Sequence, residues 1–164
     1  MGILRRGAAL FLLLTLGAGA AAEPPASPER AFLDRLPLAW CGIFRWDGDA
    51  QEQRVTLAFP RFEQRADGRL EADGPGILRS YRIVPFRMRA VVDPATRRVE
   101  MFEALDIPMS DYVTDGSHVG ELAADLQSMR LVWTTRGTGK RGAMELFARP
   151  ATADLAQPCG PPSS

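Results

Sequence analysis

Any chemistry in this chain has to begin from few residues. His118 is the only imidazole in 164 residues, and it directly follows Ser117. Adjacent residues of an extended strand point to opposite faces, so the pair does not make a nucleophile and its base. The chain also lacks a Gly-x-Ser-x-Gly elbow. The expectation is a solvent-facing histidine at the start of a strand. Asp47, Asp49 and Glu52 in DGDAQEQ place hard oxygens at short spacing. A calcium loop would also need a glycine at its sixth position and a glutamate at its twelfth, so a polar hairpin turn is expected here. One histidine and two cysteines leave too few ligands for a transition metal, and no metal or other cofactor is expected. GTGKRG, 137–142, has the glycines and lysine of a phosphate loop without its spacing or its following helix; it reads as a turn. RSYRIVPFRMR sets Arg79, Arg82, Arg87 and Arg89 beside Tyr81 and Phe86. Basic and aromatic residues interleaved in this way can bind single-stranded nucleic acid, but the alternation more simply places the arginines on the solvent face. A modest role in anion recognition stays open for them.

The cysteines depend on the compartment. Arg5 and Arg6 precede the apolar run AALFLLLTLGAGA, and Ala20-Ala21-Ala22 offers small residues to a signal peptidase. The run is shorter than the ~20 residues of a membrane anchor. Residues 1–22 therefore read as a signal peptide, leaving no membrane anchor after cleavage. Without Arg5 and Arg6 the chain has 18 basic residues against 20 acidic ones, a net charge near −2. That balance attracts neither nucleic acid nor an anionic membrane. Lys140 is the single lysine and there is no asparagine, a bias of GC-rich bacterial coding. The expected location is the periplasm, with secretion as the alternative. Two thiols in an oxidising compartment pair. Cys41 opens the folded region and Cys159 lies in the tail QPCGPPSS, so a bridge between them would close a long loop, worth ~4–5 kcal/mol in the chain-entropy picture.

The elements that position these residues are strands. Residues 23–37 read as a linker with a helical lead-in at 31–37, 38–149 as the folded domain, and 150–164 as a Pro/Gly-rich tail. From Leu38 to Ala148 the hydrophobic period is two. In LAWCGIFRW, Trp40, Phe44 and Trp46 share one face while Cys41, Ile43 and Arg45 share the other. A C-terminal tail crossing the outside of this strand would meet Cys41. Val55, Leu57 and Phe59 alternate in the next run, which Pro60 interrupts; Phe86, Met88 and Ala90 alternate further on. Four Asp-Gly pairs, at 47–48, 67–68, 73–74 and 115–116, mark tight hairpins. The glycines of LEADGPGILRSYRI imply a second turn or a strongly bent strand. GELAADLQSM is the one weak helical segment within the domain. Eight or nine short strands in sequence predict an all-β antiparallel up-and-down meander, closed into a small barrel because open edges aggregate.

The meander spacing, Trp40 near the start of the first strand and the closing GTGKRGAMELFAR strand resemble the calycin type of exported barrel, the lipocalins and avidin-like proteins, over roughly 38–149. Those families carry Gly-x-Trp at the first strand, where this chain has Leu38 ahead of Trp40 and Gly42 after it. The resemblance implies a fold and carries over no functional residue.

Barrels of eight strands either fill their interior or hold one small ligand. The inward residues Trp40, Phe44, Trp46, Leu57, Phe59, Phe86, Met88, Trp133 and Leu146 are bulky and point to a filled or nearly filled interior. The expected function is therefore non-enzymatic: recognition of another exported protein through rim loops, as an inhibitor or assembly accessory. The alternative is a carrier of a small apolar ligand held among the aromatic residues. The longest connection, Asp106 to Ser117, carries Met109 and Tyr112 and ends beside His118; with Trp46 these form the candidate binding set.

Overall fold

The computed structural model describes residues 27–109 and 112–157. The stretch 1–22 read as a signal peptide, linker residues 23–26, two residues of the 106–117 loop, and Cys159 lie outside them. The described residues form one short helix, α1 (Pro28–Leu33), and nine strands: β1 (Ala39–Trp46), β2 (Glu52–Ala58), β3 (Glu63–Gln64), β4 (Leu70–Arg79), β5 (Ile83–Val92), β6 (Arg98–Ala104), β7 (Gly116–Leu122), β8 (Ser128–Thr135) and β9 (Arg141–Arg149). All pairings are antiparallel. Eight strands run in chain order around a closed barrel, with β2 paired to β4 and β9 returning to β1; β3 adds a two-residue ladder to the start of β4. The meander is closed, and no barrel strand is left as an open edge.

The period-two pattern is what closes the sheet. On β5 the buried residues Val84, Phe86, Met88 and Ala90 alternate with exposed ones. The same rule sends Trp40, Phe44, Val55, Leu57, Met101, Leu131, Trp133, Met144 and Leu146 into one core. Closure needs strong local coiling, and glycine allows it where backbones approach closely, as at Gly42 and Gly74. Gly42 pairs with Leu146 on β9, and a Cβ there would overlap the carbonyl oxygen of Glu145. Gly74 lies where β4 parts from β2, and a Cβ there would overlap the carbonyl of Ala58. Pro75 follows it without an N–H to donate, so the β2–β4 ladder ends at Leu57 and Gly76.

The Asp-Gly pairs divide accordingly. Gly48 and Gly68 take φ near +80° in turns. Asp73-Gly74 instead lies inside β4, a single bent strand of ten residues. Gly116 begins β7, and the Asp115 side chain accepts a hydrogen bond from the Gly137 N–H across the neighbouring loop. GELAADLQSM is not a helix: Leu122 ends β7, and Leu126 takes φ 64° in a turn that buries its side chain under the barrel end. The lead-in helix starts earlier than 31–37, because Ser27 caps it and Pro28 occupies the first turn.

The helix segment closes one end. Phe32, Leu33 and Leu38 pack against the core and Leu36 is buried in it. The Trp40 indole N–H donates to the Pro37 carbonyl at 3.0 Å, which fixes the entry into β1. The tail crosses the outer face of β2 and β4. Thr56 Oγ1 donates to the Leu155 carbonyl at 3.1 Å, and the Arg79 guanidinium donates to the Ala156 carbonyl at 2.8 Å. Thr56 is the direct cross-strand partner of Cys41.

Replacing Gly42 by Ala is expected to lower stability by about 2–3 kcal/mol, since backbone rather than a pliable side chain must move. Urea unfolding followed by tryptophan emission measures this, and an unchanged midpoint would show that β1 and β9 do not need their close approach.

Candidate functional site

The end opposite α1 is built from the close of β1, the β4–β5 hairpin, the loop from Leu105 to Asp115 and the β8–β9 turn. A cavity of about 100 Å³ opens there. Its apolar wall is Phe44, Trp46, Val55, Leu78, Val84, Trp133 and Met144, and its polar residues include Glu103, Tyr112 and His118. The interior is thus filled along most of its length but not at this end, which qualifies the expectation of a filled barrel.

His118 is the main correction to the sequence reading. It is 1% exposed and points into the barrel, not toward solvent. Two phases of alternation compete in SHVGEL, and Val119 alone suggests that 117, 119 and 121 turn inward. Leu122 and the polar partner of His118 decide for the other phase. In the β6–β7 register Met101 lies opposite His118, and two residues further along β6 the same inward face presents Glu103. His118 Nε2 and Glu103 Oε1 are 2.8 Å apart. Glu103 Oε2 accepts from the Tyr112 hydroxyl at 3.1 Å. One inward carboxylate therefore ties the end of β6, the long loop and the start of β7 together.

Aromatic rings surround this polar group. Trp46 and Trp133 meet edge to face at 4.7 Å between centroids, and Phe44 stands 5.1 Å from Trp46 and 6.1 Å from the His118 ring. His118 Nδ1 is buried and has no hydrogen-bond partner. An unsatisfied buried polar atom costs ~1–3 kcal/mol. Burial, and then the adjacent Glu103 carboxylate, hold the Tyr112 phenol well above its ordinary range, so it stays a neutral donor.

Of the four candidate binding residues, Trp46, Tyr112 and His118 line this one cavity. Met109 does not; it packs against the core, and its carbonyl accepts the Tyr112 N–H at 3.2 Å. Glu103 was not among the candidates. Its signal was the alternation Val99, Met101, Glu103, which places a carboxylate on the buried face of β6. The other groups have structural partners. Asp49 accepts from the Gln51 N–H, and Glu52 pairs with Arg45 across the β1–β2 hairpin. Arg89 pairs with Glu71, Arg79 holds the tail, Arg82 stacks over Tyr81, and Phe86 is buried, so the Arg-rich run does not form one basic aromatic face.

Comparison with known protein families finds no family model that matches the chain, and comparison with curated proteins finds no match either.

The Tyr112 phenol gives a pH dependence of definite sign. Its folded pKa is raised, so its contribution to stability is fully present below the ordinary phenol value of 10.0 and is lost as pH rises beyond it. Urea midpoints of the wild type should fall above roughly pH 10. Tyr112→Phe should show a shallower fall and a loss of ~1 kcal/mol near neutrality. Parallel curves for the two proteins would contradict the assignment.

Proposed function

We propose that this protein binds one small, ring-sized ligand in the open end of its barrel, acting as a binding protein rather than an enzyme. The observation that carries the reading is the His118–Glu103–Tyr112 group set among aromatic rings beside a cavity. A barrel that needed only a stable core would gain by replacing a buried ionisable pair with apolar side chains. Keeping a carboxylate and an imidazole there, with one nitrogen unpaired, suits a site that orients a ligand. A dry cavity of ~150 Å³ holds benzene; the space here, about 100 Å³, is smaller but open to the rim, so a single ring sits partly in the mouth. The inferred setting is the periplasm, or the extracellular medium, after removal of residues 1–22. The eight-strand meander beginning near Trp40 supports kinship with the calycin barrels.

Titration with phenol and toluene tests the reading. Binding is expected to be saturable, to raise Tm by mass action and to change the emission of Trp46 and Trp133, which line the cavity. No change in either signal at millimolar compound would overturn it.

A second reading, recognition of another exported protein, is favoured by the exposed apolar residues at the same end. Tyr81 is 77% exposed, Ile83 65% and Ile107 78%. Under that reading a Tyr81→Ser, Ile107→Ser variant loses capture of a partner from periplasmic extract while ligand binding persists.

We infer further that Cys41 and Cys159 form a disulfide. The tail passes Thr56, the cross-strand neighbour of Cys41, four residues before Cys159. Intact mass before and after reduction and alkylation should reveal one bridge. Cys41→Ser is expected to lose up to ~4 kcal/mol. Two alkylatable thiols in non-reduced protein from its native compartment would exclude the bridge.

A further inference from the structure

We infer that the ligand of this cavity is a ring compound bearing a hydrogen-bond donor, a hydroxyl or N–H group, and that the lock on the His118 tautomer sets this selectivity. The inference rests on the binding reading above and adds the chemical class of ligand. Donors and acceptors deep in the site decide it. Glu103, as a carboxylate, only accepts. Its Oε2 takes the Tyr112 O–H and its Oε1 takes the His118 Nε2. Nε2 must then carry the proton of the neutral ring, which leaves Nδ1 as a lone pair. The two donors of the group are thus both committed to Glu103. What remains is acceptor capacity: Nδ1, buried with no partner, and the remaining lone pairs of Glu103, whose side chain is 12% exposed.

The surrounding wall is mostly rings and aliphatic side chains, its donors being the indole N–H groups of Trp46 and Trp133 and the Gln53 amide. Phe44 and Trp133 flank the imidazole with their rings 6.1 and 6.3 Å away, and Val55, Val84 and Met144 complete the apolar wall. The residues rich in donors, Arg82 and Ser80, belong to the β4–β5 hairpin at the mouth. An apolar ring of the right size fits among the side chains whatever its substituent. Only one with an O–H or N–H satisfies the acceptors that the site leaves open. A pocket built to bond a polar hydrogen discriminates strongly against an analogue that lacks it, because its own buried groups then stay unpaired.

Three compounds separate the possibilities in the full folded chain: phenol, which has the donor; anisole, which keeps the oxygen but only accepts; and toluene, which has neither. By calorimetry or tryptophan emission, phenol is expected to bind roughly tenfold or more tightly than either of the others. Glu103→Gln, which can present an amide donor in place of a carboxylate oxygen, should reduce that preference to about twofold or less. Equal affinities for phenol and anisole would overturn the donor requirement and leave the binding reading standing. Failure of all three compounds to bind would overturn both. A readout independent of any ligand is the ¹⁵N shift of the His118 ring in the unliganded protein: an unprotonated Nδ1 is expected, and a protonated Nδ1 with a bare Nε2 overturns the inference even if Glu103→Gln fails to fold.

Discussion

Closure of the sheet on itself is the constraint from which the rest of this molecule follows. Once β9 pairs with β1 and β2 with β4, every strand must turn one face into a single lumen of limited volume. Alternation then becomes compulsory, and each residue type on the inward face must either pack or be paired. The same closure dictates where side chains cannot exist. Gly42 and Gly74 lie where adjacent backbones approach too closely for a Cβ, and the sharp coiling they allow is what lets a short meander meet its own beginning.

The two ends of the lumen resolve this constraint differently. At one end α1, Leu36 and the turn that buries Leu126 cap the core with apolar side chains. At the other end no element among the described residues caps the barrel. The lumen is lined there by aromatic rings and by a carboxylate whose two oxygens hold a histidine and a tyrosine. The described part of the tail crosses the outer wall at β2 and β4, held by Thr56 and Arg79. The stable and the costly parts of the interior are therefore separated along the barrel axis.

Much of this architecture was legible in the sequence, because closure and alternation are local rules repeated along the chain. The inward positions of Trp40, Phe44, Leu57, Phe86, Met88, Trp133 and Leu146 follow from period two alone. Turn chemistry was less reliable. Asp-Gly marks positive φ at Gly48 and Gly68, yet at Gly74 the same dipeptide serves a close backbone approach within a strand. A dipeptide cannot distinguish a glycine needed for its φ from one needed for its missing Cβ. The site was legible in its members but not in its logic. Trp46, Tyr112 and His118 could be named from chemistry and loop length. The expected solvent-facing His118 is instead turned inward with Gly120 and Leu122, and Glu103 escapes notice because a glutamate in a strand usually faces water. Only the β6–β7 register, which puts both polar residues on the buried face, reveals them as partners.

A buried histidine and glutamate on adjacent strands also bear on how the open end is organised. Each alone would leave an unsatisfied polar or charged group in a region walled by aromatic rings. Together they form a pair, and the Tyr112 hydroxyl extends that pair to the long loop. The carboxylate thus organises three segments at the rim: β6, which carries it, β7 through His118, and the loop through Tyr112. The cavity is bounded by the same residues, so its shape and its hydrogen-bonding character cannot be varied independently. Loss of the carboxylate would both release the loop and free the imidazole to take its other tautomer, changing at once what the site can hold and what it can bond.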